Sequence, residues 1–423
     1  MSMRTPKIFT TIQTYTWPLF LADLLAGATV AMIALPLSLA IAIASGTDPA
    51  KGLVTAIVAG FVISLLGGSR VQIGGPTGAF IVVIFGVIAQ HGYDGLVLAT
   101  LMAGFILLIA GYFRAGNLIA FVPEAVVNGF TIGIGIILAT SQLKDVLGLA
   151  VDKVPADFLE KVPALWQARD TLNMPTIVIA LVTLVLILFL RRIAPRFPGL
   201  IVAVGVGSAL VAVMALPVDT LGSRFGELPD HLPWPQLPDL SISRLVELFP
   251  SALVIAFLAG VESLLSAMVA DKMIAGHHRP NAELTAQGVA NITSALFMGL
   301  PATGAIARTA TNIKAGGKTP VAGIVHAVVI YLTMLVAAPL AAYLAMPALA
   351  AILIATAWNM TEPHKWREHL NARVSDKVLL VITLVLTVVV DLTVAIGVGV
   401  SLGLAIRLSR RKSVESDWTM PKR

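Results

Sequence analysis

Long apolar runs separated by short polar stretches recur along this chain from residue 20 to residue 407. Several of the runs reach or exceed the roughly 18 residues that a helix needs to cross a bilayer. They are continuous in Leu, Ile, Val and Ala and lack the apolar and polar alternation of a barrel strand, so they predict helices. At about 30 residues for one crossing and its connection, the 423 residues accommodate roughly 14 crossings. The pattern therefore predicts an all-α polytopic membrane protein.

The predicted spans fall into two groups of seven. The first group comprises residues 20–45, 52–66, 76–90, 94–112, 119–139, 174–192 and 197–216, and the second comprises residues 249–270, 281–298, 304–313, 319–343, 346–360, 376–391 and 392–408. Residues 217–248 are rich in Pro and acidic residues and contain no apolar run, which indicates an outer linker. We therefore expect a first repeat over 1–216, the linker, a second repeat over 249–410 and a cytosolic tail over 411–423.

Composition and charge agree with a membrane location. Hydrophobic residues make up 57% of the chain and charged residues 12%, and the mean hydropathy is +0.90, which is far from a water-facing fold. Most of the 29 basic residues lie in the predicted inner loops or at the span ends beside them, although the outer side has the two longest connections. This asymmetry predicts a multi-pass protein of the inner cell membrane with both termini in the cytoplasm. The net charge of +6 is then explained by basic loops, and we expect the lipid bilayer rather than nucleic acid as the partner.

No motif of an enzyme stands out in the sequence. The chain has no cysteine, which excludes disulfides and thiolate metal sites. A glycine loop followed by lysine, as in nucleotide-binding proteins, is absent, and so are the zincin and Ser-His-Asp patterns. We therefore expect a protein that is not an enzyme and that needs no cofactor or metal.

Two short elements of the two halves are nearly copies of each other. Residues 75–79 read Gly-Pro-Thr-Gly-Ala and residues 301–305 read Pro-Ala-Thr-Gly-Ala, and each begins the short third span of its half. Because seven is odd, the second half enters the membrane inverted, so the two short helices are expected to point their N-termini at each other near the midplane. The alternative is a pair of unrelated kinks of the kind that membrane helices tolerate.

Facing helix N-termini create an anion site from backbone alone. Each N-terminus presents unpaired N–H groups and a partial positive charge. Glycine permits close approach of the backbone, and Thr77 and Thr303 offer hydroxyl donors. Arg308 lies about one turn into the second short helix, where a guanidinium is costly unless it faces a cavity or a partner. It is predicted to face the anion, the alternatives being a snorkelling arginine or a structural ion pair. The candidate site residues of these elements are Gly75, Pro76, Thr77, Gly78, Ala79, Thr303, Gly304, Ala305 and Arg308.

Glu262 is a carboxylate deep in a strongly apolar span. Burial disfavours its charged form, so it is a candidate for taking up and releasing a proton during transport. The alternative is a structural partner of Arg308. Ser266 lies one turn further along the helix on the same face, where it is expected to share a bound ion or water.

Taken in order, these stretches resemble the sulfate permease family, the bacterial relatives of the solute carrier 26 anion transporters. The resemblance covers essentially the whole membrane region and is strong. The matching stretches are residues 25–31, 35–38, 67–70, 74–78, 121–131, 262–266, 299–323 and 391–407.

The resemblance implies a fold of seven plus seven inverted spans, shared with uracil permease. Spans 1 to 4 and 8 to 11 would form a core that carries the substrate, spans 5 to 7 and 12 to 14 would form a gate, and the core would move like an elevator. The resemblance places an anion between the starts of spans 3 and 10, with Arg308 at the basic position of the family. It also puts Pro36 and Ser38 of span 1 at the site. Sodium-coupled bicarbonate members have Asp and Thr in place of Glu262 and Ser266, and a glutamate makes a proton the predicted coupling ion, with sodium the less favoured one.

The sequence departs from the family pattern in three respects. Many members carry Pro-Gln and then Tyr in span 1, where this chain has Leu37 and Ile41, so sulfate specificity is in doubt. Some animal relatives have Ser before the basic residue of span 10, where this chain has Ala307, a further candidate site residue. The family usually ends in a cytosolic STAS domain, whereas this sequence stops about 15 residues after the last predicted span. Either a longer protein has been cut or this member lacks that domain.

The expected function is secondary active transport of a small inorganic or organic anion, such as a dicarboxylate like fumarate, bicarbonate or sulfate. Proton-coupled symport is the predicted mode. An anion exchanger and an uncoupled anion channel are the alternatives, and a membrane-embedded sensor is a weaker one. A homodimer is expected only because dimers are usual among the proteins that this chain resembles.

Overall fold

The computed structural model describes residues 5–117, 123–151, 154–194, 197–390 and 392–409, and these residues are predominantly helical. The helices of the first half are α1 (Lys7–Thr11), α2 (Trp17–Ala44), α3 (Pro49–Leu66), α4 (Ile81–Tyr112), α5 (Glu124–Leu147), α6 (Phe158–Gln167), α7 (Met174–Ile193) and α8 (Gly199–Val213). Those that follow are α9 (Leu221–Phe225), α10 (Ile242–Ile274), α11 (Pro280–Leu296), α12 (Ile306–Lys314), α13 (Val321–Ala341), α14 (Met346–Met360), α15 (Trp366–Asn371), α16 (Val374–Val389) and α17 (Leu392–Ser409). Two short strands, β1 (Gly74–Gly75) and β2 (Thr303–Gly304), precede α4 and α12.

The predicted fold class is confirmed: this is an all-α polytopic membrane protein with 14 segments arranged as two inverted groups of seven. The first group is α2, α3, the two halves of α4, α5, α7 and α8, and the second is α10 to α14, α16 and α17. Among the described residues, seven helices are long and apolar enough to cross a bilayer on their own. Several of the other segments are shorter, and α12 has only nine residues.

Two sequence-based boundaries can be compared with the structure. Spans 3 and 4 are separate, as predicted: α4 consists of two helical stretches that meet at Gly92, where φ is 72° and ψ is 179° and the backbone is not helical. The predicted linker over 217–248 is too long, because α10 begins at Ile242 and the short α9 lies within the linker. The first two turns of α10 contain Arg244 and Glu247, so a criterion based on continuous apolar residues does not find them. Residues 121–122 and 391 of the matching stretches and the predicted tail 411–423 lie outside the described residues.

The helices pack as two groups, and we name them core and gate by their packing alone. In the core, which is formed by α2 to α4 and α10 to α13, α4 packs against α10 and α11, and α13 packs against α2 and α3. In the gate, which is formed by α5, α7, α8, α14, α16 and α17, α5 packs against α14 and α16, and α7 packs against α8 and α14. The two groups meet along α2, which also contacts α8 and α14. The α4–α11 contact is close because glycines face each other: a Cβ on either Gly104 or Gly288 would lie 2.8 Å from the carbonyl oxygen of the other.

Candidate functional site

The two repeated elements meet in the middle of the core. β1 and β2 pair antiparallel, with Gly74 opposite Gly304 and Gly75 opposite Thr303. The Ala305 N–H donates to the Ile73 carbonyl oxygen at 2.8 Å and extends the pairing by one hydrogen bond. The predicted meeting of the two elements is thus confirmed, and it places the starts of spans 3 and 10 side by side.

Both short helices begin without a side-chain cap. Thr77 precedes a 3₁₀ turn over Gly78–Phe80 that leads into α4, and its hydroxyl does not cap that turn. Ala305 precedes α12, and again no side chain caps the first turn. The first N–H groups of a helix have no partner within the helix, so they stay available to a ligand. At α12 the first two residues, Ile306 and Ala307, are exposed at the surface of the core.

The two threonine hydroxyls do not serve as the predicted ligand donors, which is a correction to the sequence analysis. Thr77 Oγ1 donates to Glu262 Oε2 at 3.0 Å, and Thr303 Oγ1 donates to the Ala259 carbonyl oxygen at 2.8 Å. Each hydroxyl has one proton, and in both cases α10 accepts it. The threonines therefore attach the short elements to α10, and the backbone N–H groups are the donors that remain.

Arg308 is a buried cation, with only 2% of its surface exposed. Its Nη2 donates to Ser38 Oγ of α2 at 3.2 Å. Its Nε and Nη1 have no hydrogen-bond partner among the described residues. Nη1 lies beside Gly75, where a Cβ would be 2.5 Å away. The guanidinium is thus held between α2 and β1, directly behind the start of α12.

Glu262 is not the ion-pair partner of Arg308 in the part of the chain that the structure describes, where none of the salt bridges joins the two. The side chain of Glu262 is half-buried and lines a cavity of about 140 Å³ between the core and the gate. The core side of this cavity includes Ile306, the first residue of α12. The structural-partner alternative for Glu262 is therefore disfavoured.

The cavity extends from Glu262 to the face predicted to be cytoplasmic. The gate side includes the apolar residues Val127, Phe130 and Ile396, and it has as many polar or charged residues as apolar ones, among them Lys365. Lys365 Nζ is 3.1 Å from Glu362 and 3.9 Å from Glu124. The site is thus reached from the side where the basic residues concentrate.

Ser266 is fully buried. It was expected to share a bound ion or water with Glu262, but its neighbour is Thr309. Its Oγ lies 3.3 Å from Thr309 Oγ1, which in turn accepts the Ile73 N–H at 3.0 Å. Ser266 therefore contributes to holding α12 and β1 against α10, and no described hydrogen bond links it to Glu262. Pro36 is buried inside α2, two residues before Ser38, and Ile41 is 1% exposed.

A second buried carboxylate, Glu283 of α11, was not recognised from the sequence. It is fully buried and accepts the N–H groups of Gly68 and Ser69 at 2.8 and 3.3 Å. Its other oxygen accepts from Ser263 Oγ at 2.9 Å and from Gln287 Nε2 at 2.9 Å. Glu283, Gln287 and Asn291 recur every four residues on one face of α11, and that spacing is the signal that would have found them.

Gln72 links this network to the strand pair. Its Nε2 donates to Ser263 Oγ at 3.0 Å. The same amide passes so close to Gly304 that a Cβ there would overlap it. A glycine in β2 is therefore required by the side chain that crosses it.

A model of the sulfate permease family matches residues 20–383. The chain belongs to the sulfate permease family. Within the family it is 45% identical over 366 residues to a protein of Bacillus subtilis named putative sulfate transporter YvdB, covering 86% of this chain and 69% of that protein. It is 33% identical over 338 residues to bicarbonate transporter BicA of Synechocystis, covering 78% of this chain and 59% of the relative. The matched region thus spans 69% of the length of the first relative and 59% of the length of the second.

Two solved structures have the same fold as this chain. The transmembrane domain of a cyanobacterial bicarbonate transporter BicA superimposes with a TM-score of 0.81 at 31% identity, covering 90% of this chain and 99% of that domain. The structure of SLC26A9 gives a TM-score of 0.85 at 17% identity, covering 95% of this chain and 67% of that one. The second likeness is one of fold alone.

Proposed function

We propose that this protein is a secondary active transporter that moves a small anion together with a proton by an elevator movement of its core. The observation that carries the proposal is the buried guanidinium of Arg308 beside the meeting point of two uncapped helix starts. The membership in a family of transporters supports the same reading.

The charge of Arg308 supports an anionic substrate. A buried cation is costly unless an opposite charge is nearby, and the described part of the chain provides Arg308 with a serine hydroxyl but no carboxylate within ion-pair distance. An anion at the start of α12 would supply that charge and accept the free N–H groups of the first turn. Protein and substrate would then be electrically complementary within the membrane.

The dimensions of the site support a small substrate. The cavity of about 140 Å³ at Glu262 is smaller than the 300–1,000 Å³ that is typical of sites for drug-sized ligands. Sulfate, bicarbonate and a short dicarboxylate such as fumarate are the candidates. Two relatives have names that refer to sulfate and bicarbonate transport, which supports testing these two anions first.

Proton coupling is assigned to Glu262. Its carboxylate accepts a hydrogen bond from Thr77, which precedes the first turn of span 3. A negative charge on Glu262 would therefore lie close to the proposed anion site. A charged carboxylate would repel the substrate, and a proton on it would remove that repulsion. A sodium ion at Glu262 would need a further oxygen ligand, for which Ser266 is the candidate. The Ser266 hydroxyl is hydrogen-bonded to Thr309, which favours a proton over sodium. Loading of the anion and uptake of the proton become one event.

The division between core and gate supports the elevator movement. Arg308, Glu262, Thr77 and Ser38 all belong to core helices or to the segments that open them. The gate contributes five apolar and five polar or charged side chains to the cavity, and none of the latter is bonded to Arg308 or Glu262 in the described part of the chain. A core that moves along the gate would carry Arg308, Glu262 and their bonded partners with it.

The test is uptake into proteoliposomes. Labelled sulfate, bicarbonate and fumarate are screened with an imposed inward proton gradient and, in parallel, with a sodium gradient. We expect concentrative uptake of at least one anion with the proton gradient, and we expect Glu262→Gln to transport without responding to it. Glu227→Gln, a change at an exposed linker residue, is the matched control.

Other outcomes identify the alternatives. Uptake that requires an anion inside the vesicles would indicate an exchanger. Currents far above carrier rates without concentrative uptake would indicate a channel. Acid-driven uptake that is unchanged in Glu262→Gln would refute proton coupling at this residue.

A further inference from the structure

A second cavity lies between the core and the gate on the opposite side of the strand pair. It has a volume of about 270 Å³ and is lined by the first part of α4, by α5 and α6, by the N-terminal half of α10 and by the C-terminal end of α16. The distribution of basic residues predicts that this is the outer face. The charged residues that the structure places in its lining are Lys161 and Asp157, both on α6 or at its start.

Lys161 is an unusual residue for a connecting helix because only 3% of it is exposed. Its Nζ donates to Ser141 Oγ of α5 at 2.8 Å and lies 5.7 Å from the centre of the Phe85 ring of α4. Among the described residues it forms no ion pair. An ammonium has three N–H donors, and Ser141 accepts only one of them.

Asp157 does not neutralise this ammonium directly. Its Oδ1 accepts the Leu159 N–H at 3.0 Å and caps α6, and it is not within ion-pair distance of Lys161. The carboxylate is exposed at the rim, whereas the ammonium is buried in the wall. The charge deeper in the cavity is therefore the positive one.

We propose that this cavity is a second anion-binding site, at which Lys161 captures a small oxyanion before it reaches the site at Arg308. The ammonium provides the charge and two free donors, and the cavity-lining side chains of Gln90 and Ser251 provide polar surface. The same cavity is lined by Ile81 and Val82, which directly follow the 3₁₀ turn over Gly78–Phe80 that opens span 3. An anion held at Lys161 would thus lie on one side of the start of span 3, and Glu262 lies on the other side. The inference takes from the proposed function only the idea that the substrate is an anion.

The test uses chemical reactivity and does not depend on transport. Since the chain has no cysteine, Gln90→Cys creates a single thiol in the cavity wall, at an exposed position. The purified protein in detergent is treated with an anionic methanethiosulfonate that carries a sulfonate, and separately with a cationic one that carries a trimethylammonium group. The ratio of the two rates cancels the intrinsic reactivity of the thiol and reports the charge of the cavity.

We expect the anionic-to-cationic rate ratio to fall roughly tenfold when Lys161→Gln is added, as expected for loss of a charge at partly solvated distances. Lys161→Arg should keep the ratio. Asp157→Asn is the opposite control, because asparagine preserves the helix cap while a negative charge is lost, and it should raise the ratio. Sodium sulfate, compared with sodium gluconate at equal ionic strength, should slow the anionic reagent in the Lys161 protein and leave the Lys161→Gln protein unchanged.

Equal ratios in the Lys161 and Lys161→Gln proteins, or a thiol that neither reagent reaches, would overturn the proposal. So would a sulfate effect that persists without Lys161. Because none of these readouts requires uptake, a protein that fails the transport test can still pass this one, and the converse also holds.

Discussion

The guanidinium of Arg308 lies against Gly75, so that a Cβ on the glycine would be 2.5 Å from Nη1. The two residues come from opposite halves of the chain, and each belongs to one of the two repeated elements. Gly75 also has a φ of 148°, a conformation that residues with a side chain rarely adopt. The absence of a Cβ at Gly75 thus has two effects: it leaves space for the guanidinium of Arg308, and it permits the positive φ of the backbone.

Gly75→Ala is expected to displace Arg308 and to abolish most anion uptake. The strained backbone alone costs roughly 1–3 kcal/mol, and the new methyl group would overlap the guanidinium. Uptake into proteoliposomes and the melting temperature in detergent are measured together. The matched control is Gly205→Ala in α8, where a Cβ meets no atom within 4 Å; equal activity of the two variants would contradict the prediction.

Arg308→Ala is expected to weaken anion binding by at least about tenfold, which corresponds to about 1.4 kcal/mol. Arg308→Lys should keep part of the affinity, because it retains the charge but loses the planar donor set. Equilibrium binding of labelled sulfate or bicarbonate to the purified protein gives the comparison. Arg169→Ala, at an exposed residue, is the control, and an unaltered affinity in Arg308→Ala would remove this residue from the site.

Thr77→Val tests the link between Glu262 and the start of span 3. The hydrogen bond from Thr77 Oγ1 joins the carboxylate to the start of span 3, so its removal should loosen the link between Glu262 and the proposed anion site. The stimulation of uptake by an inward proton gradient should therefore become weaker, with little change in uptake measured without the gradient. Thr311→Val provides a control, because this hydroxyl bonds only within α12. Undiminished stimulation in Thr77→Val would mean that the hydrogen bond does not influence coupling.

Lys161 is expected to give the proposed second anion site its own pH dependence. Burial lowers the pKa of Lys161 to about 8, and the nearby Asp157 opposes this shift. The ammonium is therefore charged below pH 8 and loses its proton as the pH rises through that value. We expect the anionic-to-cationic rate ratio at Gln90→Cys to decline between about pH 7 and pH 9. In Lys161→Arg the decline should disappear, since arginine stays protonated; a decline that persists in that variant would assign it to another group.

Glu283→Gln is expected to destabilise the core. The carboxylate accepts four hydrogen bonds from α10, α11 and residues 68–69, and an amide oxygen cannot replace both of its oxygens. Leaving buried N–H groups unpaired costs roughly 1–3 kcal/mol. The melting temperature in detergent should fall relative to wild type, whereas Glu227→Gln should leave it unchanged.

The membrane architecture was accessible from the sequence because lipid requires long apolar helices, and the apolar runs of this chain mark them. The polar residues around Gly92 separate two predicted spans, and the backbone at that glycine is indeed not helical. The start of α10 shows the limit of that reasoning, because the helix begins at Ile242 and its first two turns contain Arg244 and Glu247. An apolar run shows where a helix crosses lipid, and it does not show where that helix begins.

The location of the candidate site could be predicted because the two repeated elements have nearly the same sequence and occupy corresponding positions in the two halves. The hydrogen-bond partners within the site could not be predicted. Thr77 and Thr303 are suited to binding a ligand, yet both donate to α10, since an acceptor from another helix lies within reach. Glu283 was missed because its partners come from residues 68–69, more than 200 positions earlier in the chain.

The position of Arg308 separates two tasks that many binding sites combine. In the proposed site, the charge of Arg308 would act on the anion from behind the start of α12, while the surfaces that touch the anion would belong to other side chains, including those of α2 and the gate. Substitutions on those surfaces would then alter which oxyanion is accepted and leave the attraction for negative charge intact. A fold of this kind would allow the specificity for the transported anion to change through few substitutions.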